Sequence, residues 1–190
     1  MADGRYMFKN CHGLREFSVS SLPSLVYGEN MFRFDESLET FTTDAPLLIS
    51  GDAMFDGCTS LTTVESSLNS LQSAVKMFQN NTSLTRFSSA DLHSLTTASS
   101  MFFGCTSLAE FSVTSGELPA LTDGDSMFFN CESLSSLPSV EMPELQYGSS
   151  MFRQTALTEI NGVSFPALAD GTSMFADDKE LTRVNELSCQ

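Results

Sequence analysis

The chain has 190 residues and a mass of 20.7 kDa, which suits one domain large enough to bury a core. Its 24 acidic residues outnumber 9 lysines and arginines, and the net charge of −15 argues against nucleic-acid or anionic-lipid partners, which need a basic surface. The sequence contains no run of about 18 apolar residues, the length needed to cross a membrane. Residues 1–5 lack the apolar core of a secretory signal. We therefore expect no nucleic-acid partner and no membrane insertion.

A Met-Phe dipeptide recurs along the whole chain at intervals of 23 to 26 residues. The repeats are predicted to start near residues 7, 31, 54, 77, 101, 127, 151 and 174. Self-similarity at this period is the sequence signature of stacked repeats. One unit cannot bury its own six apolar positions, so neighbouring units must cover them. We predict a single domain over residues 1–190, a repeat solenoid of about eight coils with no obvious polar caps.

Each unit contains three predicted elements in the same order. A short Thr-rich segment such as 60–66, with Leu61 and Val64 facing inward, is typical of a strand. A shorter extended arm follows, as at residues 118–121. A small residue and a polar residue then precede Met-Phe, as Gly124 and Ser126 precede Met127. This arrangement predicts a single helical or 3-10 turn whose free N–H groups are capped by a polar side chain.

Four of the five cysteines lie four residues after the repeated Met: Cys11, Cys58, Cys105 and Cys131. Their spacings match no zinc pattern, and an odd number cannot pair completely within one chain. Two interpretations remain: small inward-facing hydrophobic side chains, or a disulfide between Cys105 and Cys131 across adjacent coils. Asn81 takes the same position in its unit, where we expect an inward side chain bonded to the backbone.

Residues with catalytic or metal-binding chemistry are sparse. The two histidines, His12 and His93, fall in different units, and the sequence has neither a Gly-x-Ser-x-Gly elbow nor a phosphate-binding loop before a helix. Two acidic clusters, at 123–125 and 177–178, could attract calcium or could cap turns, and capping fits better because the clusters do not recur in every unit. We expect no enzyme, no cofactor and no metal site.

The repeat resembles a known family. The pattern Gly-x-Ser-Met-Phe-x-Gly-Cys-Thr-Ser-Leu-x-x-Phe, as at 97–111 with Ala98 in the Gly place, resembles the BspA-like leucine-rich repeats over nearly the whole chain. The resemblance implies a right-handed leucine-rich-repeat coil with short parallel strands on one face. It also implies a non-enzymatic protein for adhesion or protein binding, secreted or on the cell surface, with a protein ligand or host matrix component as partner.

On the same analogy, the outward side chains of the stacked strands form the candidate partner-binding face. These residues are Glu16, Ser18, Thr40, Thr42, Thr63, Glu65, Arg86, Ser88, Glu110, Ser112, Glu159 and Asn161. They are small, polar and of mixed charge, and no aromatic side chain among them offers a binding hot spot. A solvated face that merely keeps the coil soluble remains the alternative.

The predicted ends leave two further possibilities open. Without capping units, the terminal coils would offer unpaired strand edges and bare apolar surface. The chain is then either a section of a longer array or a subunit that assembles head to tail into a fibre, since such a contact does not close on itself.

Overall fold

The computed structural model describes residues 2–89, 91–136, 141–161, 163–185 and 188–189. Its strands are β1 (Thr40–Phe41), β2 (Thr63–Glu65), β3 (Arg86–Ser89), β4 (Glu110–Val113), β5 (Glu159–Asn161), β6 (Ser164–Phe165), β7 (Arg183–Asn185) and β8 (Ser188–Cys189). Strands β1 to β4 form one sheet in sequence order, β5 pairs with β7, and β6 pairs with β8, all in parallel. Because each paired strand lies one coil further along the chain, the molecule is a parallel β-solenoid, as predicted.

The coils stack in strict register. Thr63 pairs with Arg86 and Arg86 with Glu110, while the alternate residues Val64, Phe87 and Phe111 face inward. A second ladder of parallel bridges runs through the coils at Asp3, Tyr27, Ser50, Ser73, Thr97, Asp123, Tyr147 and Asp170. Since side chains alternate along a strand, this register repeats the same inward and outward columns in each coil.

The repeated Met-Phe pairs form a continuous apolar column. In the six inner pairs, from residues 31–32 to 151–152, every Met and Phe side chain is at most 1% exposed. The eight phenyl rings stack with centroids 5.3 to 5.6 Å apart and planes within 11° of parallel. Each buried Phe or Met contributes about 1.5–3 kcal/mol through the hydrophobic effect, so this column contributes substantially to stability, together with the buried Leu residues of the same core.

The segment around each Met-Phe pair is not the helical or 3-10 turn that the sequence suggested, and the described residues contain no helix. Two four-residue turns follow each other instead, as Met7 N–H donates to Gly4 O and Cys11 N–H to Phe8 O. The third residue of each turn has a positive φ. These residues are Tyr6, Asn10, Asn30, Phe34, Ala53, Gly57, Lys76, Asn80, Ser100, Gly104, Ser126, Asn130, Ser150, Gln154, Ser173 and Asp177. A left-handed residue at this spacing cannot continue a right-handed helix.

The cysteine column is largely inward, as the first interpretation held. Cys58, Cys105 and Cys131 are buried free thiols. Each Sγ donates to the carbonyl of a Phe in the preceding coil, at 3.0 Å for Cys105 to Phe78 O. Burial raises the pKa of the Cys105 thiol far above its usual range, so it stays protonated and unreactive. Cys11 is exposed, because no described coil precedes it.

The expectation for Asn81 is wrong in one respect. Its side chain is fully buried, as predicted, but neither its Oδ1 nor its Nδ2 has a hydrogen-bond partner. The thiol of a cysteine needs only one acceptor here, whereas a carboxamide offers two donors and an acceptor. Asn81 N–H already donates to Phe78 O, and the coil-to-coil ladder uses much of the nearby backbone.

Candidate interaction face

The twelve candidate residues of the strand face lie in two parallel columns, and none of them is buried. The first column runs from Glu16, bridged to Thr40, through Thr63 and Arg86 to Glu110. The second pairs Glu65 with Ser88 and Ser88 with Ser112. Glu159 and Asn161 continue the two columns on β5, opposite Arg183 and Asn185 of β7. Each candidate residue thus neighbours its equivalents one coil away, 23 to 24 positions distant in sequence.

Arg86 occupies the centre of an ion-pair ladder on this face. Its Nη1 lies 3.5 Å from Glu65 Oε1, and its Nε lies 3.5 Å from Glu110 Oε1. Arg183 makes a similar pair with Glu159 at 3.7 Å. All five side chains are about half exposed, so solvent screens these pairs and each contributes little to folding. Because these ion pairs are weak, a partner can replace them with little loss of folding free energy.

Two open depressions lie along the same face. One is lined by Glu16, Phe17, Ser18, Val19, Ser20, Thr40 and Thr42, and the other by Asp44, Glu65, Ser66, Ser67, Arg86, Ser88 and Thr114. Seven of the twelve candidate residues line them. Their linings consist mostly of hydroxyl and charged groups, which suits contact with a polar surface rather than burial of a large apolar ligand.

Sequence reasoning missed an aromatic patch on the turn side of the solenoid. The half-buried rings of Phe103 and Phe129 stack with centroids 4.9 Å apart, and Arg153 Cζ lies 5.5 Å from the Phe129 centroid. The signal for it was present: only residues 101–103 and 127–129 read Met-Phe-Phe, in consecutive units. This patch lies on turns, away from the strand columns.

His93 and the acidic clusters have ordinary local partners. His12 and His93 are both exposed, and His93 Nδ1 lies 2.5 Å from Asp91 Oδ2. Asp125 Oδ1 accepts a hydrogen bond from Ser149 N–H, and Asp178 Oδ1 accepts one from Thr155 N–H, so these carboxylates cap turns of the preceding or following coil. Burial raises the pKa of both carboxyls. Over the described ranges no three His, Cys, Asp or Glu side chains are placed to share a metal ion.

Among the residues whose structure is described, no helix is long and apolar enough to cross a bilayer.

Stacked coils of about 24 residues, each with inward Leu, Phe and Met and a short parallel strand, define a leucine-rich-repeat solenoid. The chain matches the BspA-type leucine-rich repeat region in six copies, over residues 4–107 and 78–182. It therefore belongs to the BspA-type leucine-rich repeat family. The predicted number of about eight repeats is slightly high as a count of family copies, although eight Met-Phe turns stack in the structure.

A solved leucine-rich repeat protein from Bacteroides ovatus is similar over 87% of this chain at 20% identity, with a TM-score of 0.45. The chain spans 39% of the length of that protein. A search of curated protein sequences finds no match. Leucine-rich repeats generally form protein-interaction scaffolds without enzymatic activity, and BspA-type members are typically secreted or exposed on cell surfaces.

Proposed function

We propose that this protein is a non-enzymatic recognition module that binds a protein ligand, such as a host matrix component, through its strand face outside the cell. The observation that carries the proposal is the exposed ladder of Glu65, Arg86 and Glu110, flanked by the two polar depressions. Side chains on a rigid sheet are pre-organised, so binding costs little ordering entropy. Mixed charge at half-exposed positions favours a specific polar partner over non-specific adhesion.

The proposed location follows from the family and from the charge of the chain. BspA-type members are typically surface or secreted proteins, and adhesion requires that position. A net charge of −15 keeps an extended solenoid soluble and repels anionic lipid headgroups, so contacts are expected with proteins that present basic or mixed surfaces.

The test is binding to a panel of purified, immobilised matrix proteins with two charge-reversal variants. Arg86→Glu inverts the centre of the strand face, whereas Arg153→Glu reverses a comparably exposed, ion-paired arginine on the turn side. If the strand face binds, Arg86→Glu weakens binding tenfold or more, and Arg153→Glu leaves it nearly unchanged. Equal effects of both variants, or no binding to any matrix protein, would contradict the proposal.

A further inference from the structure

The turn side of the solenoid departs from the repeat at its aromatic patch. The residues two places after each repeated Met form one column along the turns: Lys9, Arg33, Asp56, Gln79, Phe103, Phe129, Arg153 and Ala176. The two phenyl rings in this column are neighbours, with centroids 4.9 Å apart and an angle of 6° between their planes. Arg153 of the following coil lies over the other face of the Phe129 ring, with Cζ 5.5 Å from the centroid. Both faces of that ring are therefore covered, and its exposed part is its edge.

A second departure from the repeat lies in the coil of Met151. In the other seven coils the inward Leu follows the repeated Met by seven residues, whereas Leu157 follows Met151 by six. Because the coils on both sides keep their full length here, the missing residue leaves an open depression of about 220 Å³. Three successive coils line it, through Glu132, Gln154, Thr155, Ala156, Asp177, Lys179 and Glu180.

This depression carries an excess of negative charge. Its lining has three carboxylates, from Glu132, Asp177 and Glu180, against the one ammonium group of Lys179. Asp177 is already paired, since its Oδ2 lies 2.9 Å from Arg153 Nη2. Neither Glu132 nor Glu180 is within ion-pair distance of a cation among the described residues, and both are exposed. A basic group of a partner would find two unpaired carboxylates here, whereas an acidic group would be repelled.

The aromatic patch and the depression form one continuous surface. Arg153 joins them, because it lies over the Phe129 ring and pairs with Asp177 in the lining of the depression. Neighbouring coils are about 4.8 Å apart, so the depression lies about 7 Å along the solenoid from the middle of the phenyl pair. Side chains two residues apart on one face of an extended chain are separated by about the same distance.

From these observations we propose that the patch and the depression together dock an extended protein segment in which an aromatic side chain lies two residues from a lysine or arginine. The partner's ring lies with its face on the edges of Phe103 and Phe129, since the positive edge of one ring attracts the negative face of another. The partner's cation enters the depression and pairs with Glu132 and Glu180. This site is separate from the strand face and does not depend on what that face binds.

Fluorescence anisotropy with labelled synthetic peptides tests the chemistry of the partner. The probe is a short peptide rich in Ser and Thr, with one Phe and one Lys two positions apart. Three matched peptides replace the Lys by Ser, the Lys by Glu or the Phe by Ser. The probe is expected to bind the chain about tenfold or more tightly than each of the three, and the Glu peptide is expected to bind most weakly.

Two double variants test the location of the site. Phe103→Ser/Phe129→Ser and Glu132→Gln/Glu180→Gln should each weaken binding of the probe about tenfold. Only the second pair should abolish the preference for the probe over the peptide with Ser in place of Lys. Circular dichroism and urea unfolding check that both variants are folded, which is expected of the Glu pair because its side chains are exposed.

Phe34→Ser is the matched control for the aromatic pair. Phe34 is a turn-side phenylalanine that is 37% exposed, and Arg33 Cζ lies 4.6 Å from its ring centroid. It lies outside both the patch and the depression, so this variant should bind the probe as the wild type does.

Three results would overturn the proposal. One is a probe that does not bind the wild-type chain, or binds no better than its Glu form. Another is a folded double variant of either kind that binds the probe as strongly as the wild type. The third is a neutral glucose hexasaccharide that binds in place of the peptide and depends on Phe103 and Phe129, because the patch would then take a carbohydrate.

Discussion

The inner coils and the outermost coils share one sequence pattern but differ in how completely the pattern is buried. The ring of Phe102 contacts four other phenyl rings, whereas that of Phe8 contacts two. Met101 is fully buried, whereas the equivalent Met7 is 48% exposed, and Val184 near the other edge is 49% exposed. The same residue type therefore contributes differently according to how many coils flank it, as expected when stability resides in interfaces between repeats.

The position four residues after each repeated Met shows a second difference between the inner and outermost coils. Three inner coils place buried thiols there, which donate to the preceding coil. The second coil places Asp35 there instead: its Oδ1 accepts from Cys11 N–H at 2.6 Å, and its buried Oδ2 has no partner. Asp178 in the last coil has the same arrangement with Thr155. The same position is thus occupied by a thiol donor at Cys58, Cys105 and Cys131 and by a carboxylate acceptor at Asp35 and Asp178.

The largest expected effect tests the first difference directly. Phe102→Ala should destabilise the protein by about 3–5 kcal/mol, because it opens a cavity between two covering coils. Phe8→Ala should cost less than half as much, because the Phe8 ring is only partly buried. Urea unfolding of both variants measures the two values. Equal shifts in midpoint would contradict a column in which each ring is stabilised according to how many coils flank it.

Asn81 occupies this position in an inner coil without any side-chain partner, and replacing it should sharpen the comparison. Asn81→Cys should stabilise the protein by about 1–3 kcal/mol, because it removes two buried unpaired polar atoms and supplies a thiol for the preceding coil. The reciprocal variant Cys105→Asn should be destabilising, since its carboxamide would be equally unpaired. Thermal or urea unfolding measures both, and a destabilised Asn81→Cys variant would refute this explanation of the column.

The buried carboxyl group of Asp35 predicts a contribution to the pH dependence of stability. Burial raises the pKa of Asp35 to about 6 from an ordinary 3.8, so the folded state favours its protonated form. This contribution to stability is fully present below pH 3.8 and is lost as pH rises through about 6. Lowering pH from 7 to 5 should therefore add about 1 kcal/mol through this group. Asp35→Asn should lose that increment relative to wild type in urea unfolding at the two pH values. A pH dependence unchanged by the variant would exclude Asp35 as its source.

The smallest expected effect lies on the strand face. Arg86→Ala should change stability by less than about 1 kcal/mol, although Arg86 contacts two carboxylates, because all three side chains are about half exposed. Arg33→Ala is a useful contrast, because the Arg33 guanidinium lies 2.9 Å from the buried carboxylate of Asp56. Removing the guanidinium leaves that carboxylate without a compensating charge. Unfolding midpoints should therefore fall further for Arg33→Ala. The reverse order would mean that the strand face is a structural element.

Much of the fold was readable from the spacing of a few residues. The Met-Phe interval and the apolar positions that follow it predicted the coil, the inward columns and the parallel strands, because only stacking can bury such short units. The turns were not predicted, although Asn10, Gly57, Asn80, Gly104 and Asn130 share one position and favour left-handed backbone. Phe34 and Gln154 at the same position, and the Ser and Lys residues at the third position of the first turn, obscured that signal, since those residue types rarely adopt a positive φ.

The sequence by itself determined which residues face inward and which face outward, because periodicity depends only on the local alternation of side chains. Only the tertiary structure decided which outward residues meet across coils, such as Arg86 with Glu65 and Glu110, and which buried polar groups lack partners, such as Asn81. Those facts depend on the register between coils. The lateral offset of one coil on the next is set by packing of many side chains at once, and no single unit encodes it.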